Sequence, residues 1–202
     1  MTAHLLLFAA TELLLSATPG PAVLLVISQG IRHGFRSSTH GAAGILTGNA
    51  IYFALSAAGL GAVLIASKQI FNVLQIAGAA YLILIGLKML FASGAPASAP
   101  AEQAASRRRP FLDGLLTQLS NPKAIVFFTA LLPQFVDPTR PIAMQLIILG
   151  VISIIVELPV LLLYGYIADR GRARYGKHAA LVERLAGACL IAAGAKLAAA
   201  RT

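Results

Sequence analysis

Lys123 and Glu157 stand near the centres of two apolar stretches, residues 111–136 and 142–168, each long enough to cross a bilayer. A lysine at the membrane centre costs roughly 2.5–3.5 kcal/mol on insertion scales, so it is expected to face a protein interior or a wet cavity. Asn121 and Pro122 directly precede this lysine, and a second interruption, Pro19-Gly20-Pro21, falls inside the apolar stretch 4–30. Proline removes a backbone donor and clashes with the preceding turn, leaving carbonyls that lipid cannot satisfy. Both stretches are therefore expected to break into half-helices or to kink sharply, and Glu157 with Pro159 implies a third break.

Broken backbone at that depth has a chemistry of its own. Helix N-termini carry partial positive charge and attract a carboxylate, while freed carbonyls accept from an ammonium or another proton donor. An amino acid presents both groups, so Lys123 could meet a carboxylate while Glu157 meets an ammonium or exchanges a proton. The alternative is that Lys123 and Glu157 neutralise one another as a structural ion pair. Glu12 lies nine residues before Pro21, as Asp113 lies nine before Pro122. Both are nearer the membrane faces: Asp113 reads as an interfacial anchor, Glu12 as part of a proton or substrate path or as a solvated helix end. Asn49 and Tyr52, three apart, share a helix face and either form structural hydrogen bonds or line a site.

The elements that must position these groups follow from composition. The 202 residues are 58% hydrophobic and 11% charged, with mean hydropathy +0.81, outside the usual range for soluble domains, so this is a membrane protein. The net charge of +9 resides in the gaps between apolar runs, which retention of loops in the cytoplasm explains better than nucleic acid does. Cys189 stands alone, excluding an intrachain disulfide or a CxxC pair. His4, His33, His40 and His178 show no ligand spacing, so no metal and no other cofactor is expected. The first run has no charged n-region or cleavage site and reads as a retained span.

Six spans are expected, near residues 4–30, 41–66, 70–91, 111–136, 142–168 and 182–200, in two halves, 1–92 and 111–202, joined by a cytoplasmic linker over 93–110. Gly41, Gly44 and Gly48 form one small-residue stripe, and the last span is rich in Ala and Gly, with Gly187 and Gly194, so close helix packing is expected in both. The match of Glu12…Pro21 to Asp113…Pro122 has an offset of 101, and Gly86-Leu87-Lys88 matches Gly194-Ala195-Lys196 at 108. Three is odd, so the halves enter the membrane in opposite senses. The fold expected is an all-α membrane protein of six transmembrane helices in two inverted three-helix repeats, with helices 1, 4 and 5 broken or kinked near the midplane. Eleven lysines and arginines fall on the face of the linker and four on the other, which places both termini outside the cytoplasm.

The PGP break, the YLxxxG run at Tyr81–Gly86 and NPKxxxFF…PQF from Asn121 to Phe135 together resemble the LysE/RhtB family of amino-acid exporters, over about residues 18–136. The resemblance implies a multi-pass protein of the bacterial inner membrane that exports amino acids or close derivatives, driven by the proton gradient. Its motifs point to Pro19, Gly20, Pro21, Asn121, Pro122 and Lys123, beside which Asn49 and Tyr52 are candidate substrate contacts and Glu157 and Glu12 candidate proton-coupling groups. Many members carry asparagine after PGP, where this chain has Ala22. The partners implied are an amino-acid substrate, protons and membrane lipid, with no nucleic acid, and a homodimer is compatible with the pattern. An intramembrane enzyme would need HExxH, GxSxG or paired aspartates, none of which is present, and a passive channel or scaffold is the other competing class. The topology makes a prediction: a cysteine in the linker should resist an impermeant thiol reagent added to intact cells, and labelling from outside would overturn the orientation.

Overall fold

The computed structural model describes residues 2–58, 68–91, 109–137, 139–171 and 179–199. The linker expected up to Arg108, the end of the second stretch, and the basic positions Arg172, Arg174 and Lys177 lie outside the described residues. Among the described residues the chain is all-helical, with no strand. Eight α-helices follow in order: α1 (Thr2–Ala17), α2 (Pro21–His33), α3 (Phe35–Ala57), α4 (Lys68–Phe91), α5 (Pro110–Leu119), α6 (Pro122–Val126), α7 (Ile142–Gly171) and α8 (Ala179–Ala199).

The helix ends fall where the sequence forbids continuation. Between α1 and α2, Pro19 and Gly20 interrupt the ladder and Pro21 opens the next helix at N1, where its missing N–H costs nothing. The two helices meet at 52°. Between α5 and α6, Ser120 ends one ladder and Asn121 caps the next, its Oδ1 accepting from the Lys123 amide at 3.1 Å with Pro122 at N1. That pair is bent by 46°. Beyond α6 the chain widens into a π turn over Phe127–Leu131 and tightens into a 3-10 turn over Leu132–Phe135, around Pro133.

Two expectations need correction. The third break does not occur: α7 runs unbroken for 30 residues with Pro159 inside it. A single proline deletes one hydrogen bond, whereas each true break couples proline to a second residue, Gly20 or Asn121, that starts a new helix. Nor do Arg32, His33 and Arg36 form a loop before a span starting at Gly41. Only Gly34 separates α2 from α3, at φ 83°, a left-handed conformation that suits glycine.

By length and composition α7 can cross a membrane alone, and two bent pairs, α1 with α2 and α5 with the segment Pro122–Phe135, each qualify as a broken span or a re-entrant loop. The outer faces agree: Leu6 and Leu14 of α1 and Ile147, Ile155 and Leu163 of α7 are more than half exposed, a placement that suits hydrocarbon and not water. Inward faces follow helical spacing. Phe8, Glu12 and Ser16 recur every four residues on α1, and Leu146, Leu149, Ser153, Glu157, Leu161 and Gly165 line one stripe of α7.

Helix α3 lies between α5 and α7, α4 packs on α8, and α1 and α2 pack on α7. Glycine permits the closest of these crossings, as the stripe expected on α3 requires. A Cβ on Gly44 would strike the Phe111 carbonyl and one on Gly114 the Gly41 carbonyl, so the α3 and α5 backbones touch. On the opposite side, a Cβ on Gly86 would fall 2.6 Å from the Gly187 carbonyl and one on Gly194 2.8 Å from that of Ala79, which makes the expected tight packing of the last helix concrete. Replacing Gly114 by alanine should therefore cost about 1–3 kcal/mol through overpacking, read as a lower unfolding temperature in detergent. An unchanged temperature would mean that α3 and α5 are free to separate.

Candidate functional site

The two breaks meet. Between them lies a cavity lined by Glu12, Ser16, Gly20, Asn49, Gln118, Asn121, Lys123 and Glu157, with an apolar side made by Leu15, Ala22, Val23, Ala124, Phe127 and Phe128. Its volume is about 40 Å³, room for a few waters and well under the roughly 300–1,000 Å³ of ligand pockets. The cavity is thus small and filled largely by its own polar groups.

Lys123 spans the junction. Its ammonium donates to the Leu15 carbonyl and to the Thr18 carbonyl at 3.0 Å, so the lysine of the second break caps the carbonyl end of the first. Thr18 adds its own hydroxyl to the Leu14 carbonyl at 2.7 Å, and Tyr164 of α7 donates to the Ala17 carbonyl at 2.8 Å. The other break is treated alike: Tyr52 of α3 donates to the Leu119 carbonyl at 2.6 Å. Gly20 borders the lysine stem: a Cβ there would lie in ordinary contact, 3.7 Å from the Lys123 Cδ.

The acids take different donors. Glu157, on α7, accepts from the Asn49 amide. Asn49 Oδ1 accepts from Gln118 Nε2 at 2.5 Å, Gln118 Oε1 accepts from Asn121 Nδ2 at 3.1 Å, and Asn121 Oδ1 accepts from the Lys123 amide. Every amide in this chain donates toward Glu157, so the series has one direction and ends on the carboxylate. Glu12 lies across the cavity and accepts from Ser153 Oγ at 2.8 Å. Among the described residues no direct bond joins Lys123 to Glu157: they share the cavity, each with its own partners.

Of the residues singled out in the sequence, Gly20, Asn49, Asn121, Lys123, Glu157 and Glu12 come together. Glu12 is 5% exposed, so the reading of a solvated helix end is overturned; its spacing of four from Phe8 and Ser16 carries it to the inner face. Pro19, Pro21, Pro122 and Tyr52 do not line the cavity. The prolines set the break, Pro19 lying exposed on the surface, and Tyr52 spends its hydroxyl on Leu119 while its ring stacks on Phe128 at 4.8 Å. Gln118, Ser16, Ser153 and Tyr164 were not anticipated. Gln118 had a signal, a polar side chain inside an apolar stretch, three residues before Asn121.

Interrupted helices meeting at a buried polar cavity, inside a helical bundle with an apolar exterior, define a membrane protein of the transporter class. The family model described as LysE type translocator matches residues 13–201, beyond the stretch that carries the motifs and across Glu157, and this chain belongs to that family. It is 37% identical over 193 residues to the homoserine/homoserine lactone efflux protein of Salmonella typhimurium, covering 95% of this chain and 94% of that one. It is 34% identical over 163 residues to an uncharacterized membrane protein of Vibrio cholerae, covering 78% and 76%, and 35% identical over 120 residues to the leucine efflux protein of Klebsiella pneumoniae, covering 59% and 57%. No solved structure matches. The family is one of amino-acid efflux transporters, not enzymes, and its members are proteins of bacterial membranes.

The chain of amides predicts its own test. Gln118→Leu leaves Asn49 and Asn121 each with a buried, unpaired polar atom, and should cost about 1–3 kcal/mol of stability, against about 0.6 kcal/mol for Tyr52→Phe, which removes a single membrane hydrogen bond. Equal melting temperatures in detergent for the two variants would mean that the chain is no more than a set of separate bonds.

Proposed function

We propose that this protein exports small neutral α-amino acids or close derivatives across the bacterial inner membrane, in exchange for protons, by alternating access around the cavity between the two breaks. The observation that carries the reading is the convergence of one ammonium, two carboxyls and two helix interruptions on one small cavity. The fold that performs it is six spans in two inverted three-helix repeats, with both termini periplasmic and the linker cytoplasmic. A cavity of about 40 Å³ is too small for an amino acid without rearrangement, which supports alternating access over a passive channel.

Each group has a role in this reading. The amides of Ala22 and Val23, in the first turn of α2, have no intrahelical carbonyl to bond, and with Lys123 they receive the substrate carboxylate or carbonyl. Glu157 receives the substrate ammonium and exchanges it for a proton, with Glu12 opposite it as a second acceptor. Homoserine, homoserine lactone and leucine, the compounds for which the relatives are named, share an α-ammonium and a neutral side chain, whereas the lactone has no free carboxylate. The ammonium is therefore the group the site must recognise, which favours the acids as the principal contacts. Phe127, Phe128, Val23 and Ala124 supply the apolar wall for the side chain. Two carboxyls against one lysine leave a charge that a proton or a substrate ammonium offsets, and that is the physical basis of exchange.

Entry of substrate requires Lys123 to leave the Leu15 and Thr18 carbonyls. Lys123→Met and Glu157→Gln should each lower efflux of labelled leucine or homoserine about tenfold or more at matched protein level, equivalent to about 1.4 kcal/mol on the transport barrier. The double variant should export no better than either single variant, because each residue has its own partners. Full export by the double variant, or flux indifferent to collapse of the proton gradient, would overturn proton-coupled export through this site.

A further inference from the structure

A second, larger cavity of about 320 Å³ opens at the end of the bundle where α1 begins and the loop before α7 turns. Its floor is apolar, from Leu5, Phe135, Ile148 and Leu149, and its rim is polar, from Asp137, Arg140 and Gln145. The volume lies within the range of small-molecule sites, unlike that of the central cavity.

The rim is built and not loose. Gln145 accepts from the Asp137 amide at 2.8 Å and donates to the Asp137 carbonyl at 2.9 Å, which pins the loop to the start of α7. Asp137 carries an ion pair with Arg140 at 3.2 Å, and both side chains remain substantially exposed. Donation from the Thr139 hydroxyl and amide holds the Asp137 carboxyl below the usual range, so it stays ionised. An anion held by Thr139 and the cation paired with it thus stand side by side above an apolar floor.

A wall of aromatic rings divides this cavity from the central one. Phe128 and Phe127 border the central cavity, Phe135 borders the outer one, and Phe8 bridges them at 6.1 Å from Phe127 and 5.2 Å from Phe135. Three of the four rings lie in the irregular segment of π and 3-10 turns, where the helical ladder is weakest.

We propose that the outer cavity is a second station for a zwitterionic amino acid, the carboxylate on Arg140, the ammonium on Asp137 and the side chain on the Leu5–Phe135–Ile148 floor, occupied when substrate has passed the aromatic wall. The proposal rests on the reading of the protein as an amino-acid exporter, and it assigns the station to the face expected outside the cytoplasm.

The test measures binding and not transport. Full-length protein in lipid nanodiscs carries Ile148→Cys in a Cys189→Ser background, and the rate of modification of the introduced thiol by a small charged methanethiosulfonate is followed. L-Leucine should slow the reaction, and N-acetyl-leucine amide, which has the same side chain and no charge, should not. Arg140→Gln should abolish protection and Arg140→Lys should restore part of it. Ser16→Leu, which fills the central cavity, should leave protection intact. If Ile148→Cys does not yield folded protein, Leu5→Cys reports on the same floor. Equal protection by the amide would identify the cavity as a hydrophobic or lipid site, equal protection in Arg140→Gln would remove the zwitterion contact, and loss of protection in Ser16→Leu would assign the signal to the central site; each overturns the proposal. Protection that persists in a protein shown not to export would instead fail the exporter reading and leave this station standing.

Discussion

A helix interrupted inside an apolar slab exposes carbonyls that neither lipid nor its own next turn can satisfy, and the rest of this molecule is arranged to satisfy them. At the end of α1 the Leu14 and Leu15 carbonyls share the Thr18 amide and take a second donor each. The Ala17 and Thr18 carbonyls lie at the break itself, as that of Leu119 does at the end of α5. Thr18, Lys123 and Tyr164 serve the first group and Tyr52 serves the second. Four donors from four different segments therefore converge on two short stretches of backbone. A break that would be a defect in an isolated helix becomes the point at which the bundle is tied together.

The ties cross between the halves of the chain. Tyr52 in the first half serves the break of the second, and Tyr164 in the second serves the break of the first. The exchange is not complete. By the offset of 101 that aligns Pro21 with Pro122, the position of Lys123 corresponds to Ala22, so one break supplies an ammonium and the other a methyl group. That difference leaves one lysine facing two carboxyls. By the same offset Asn121 corresponds to Gly20, so α6 has a capping side chain and the α2 N-terminus has none over its amides.

Close backbone approach and the polar chain are one device. Gly48 on α3 lies where a Cβ would come within 2.9 Å of the Gln118 Cβ, and its neighbour Asn49 takes the Gln118 amide. The glycine stripe brings α5 near enough for Gln118 to reach α3; Asn49 then carries the connection to Glu157 on α7. The order of contacts runs from small residues, to helix spacing, to hydrogen bonds that only that spacing allows.

The sequence by itself determined the membrane setting, the two breaks, the glycine contacts and most of the charged site, because each follows from a local conflict between a residue and an apolar surrounding. Lys123 and Glu157 cannot face lipid, and Pro21 and Pro122 cannot continue a ladder. Tertiary structure decided what the conflicts resolve into. Lys123 turns to carbonyls 105 and 108 residues away and not to Glu157, Glu157 reaches Asn49, and Glu12 finds Ser153 on α7. No spacing rule encodes those choices, since they depend on which helix faces which, and the missing third break shows the limit of local reading. Pro159 deletes one bond in a helix whose neighbours on either side remain good helix formers, so α7 absorbs it, whereas Gly20 and Asn121 start new helices and make the other two interruptions real.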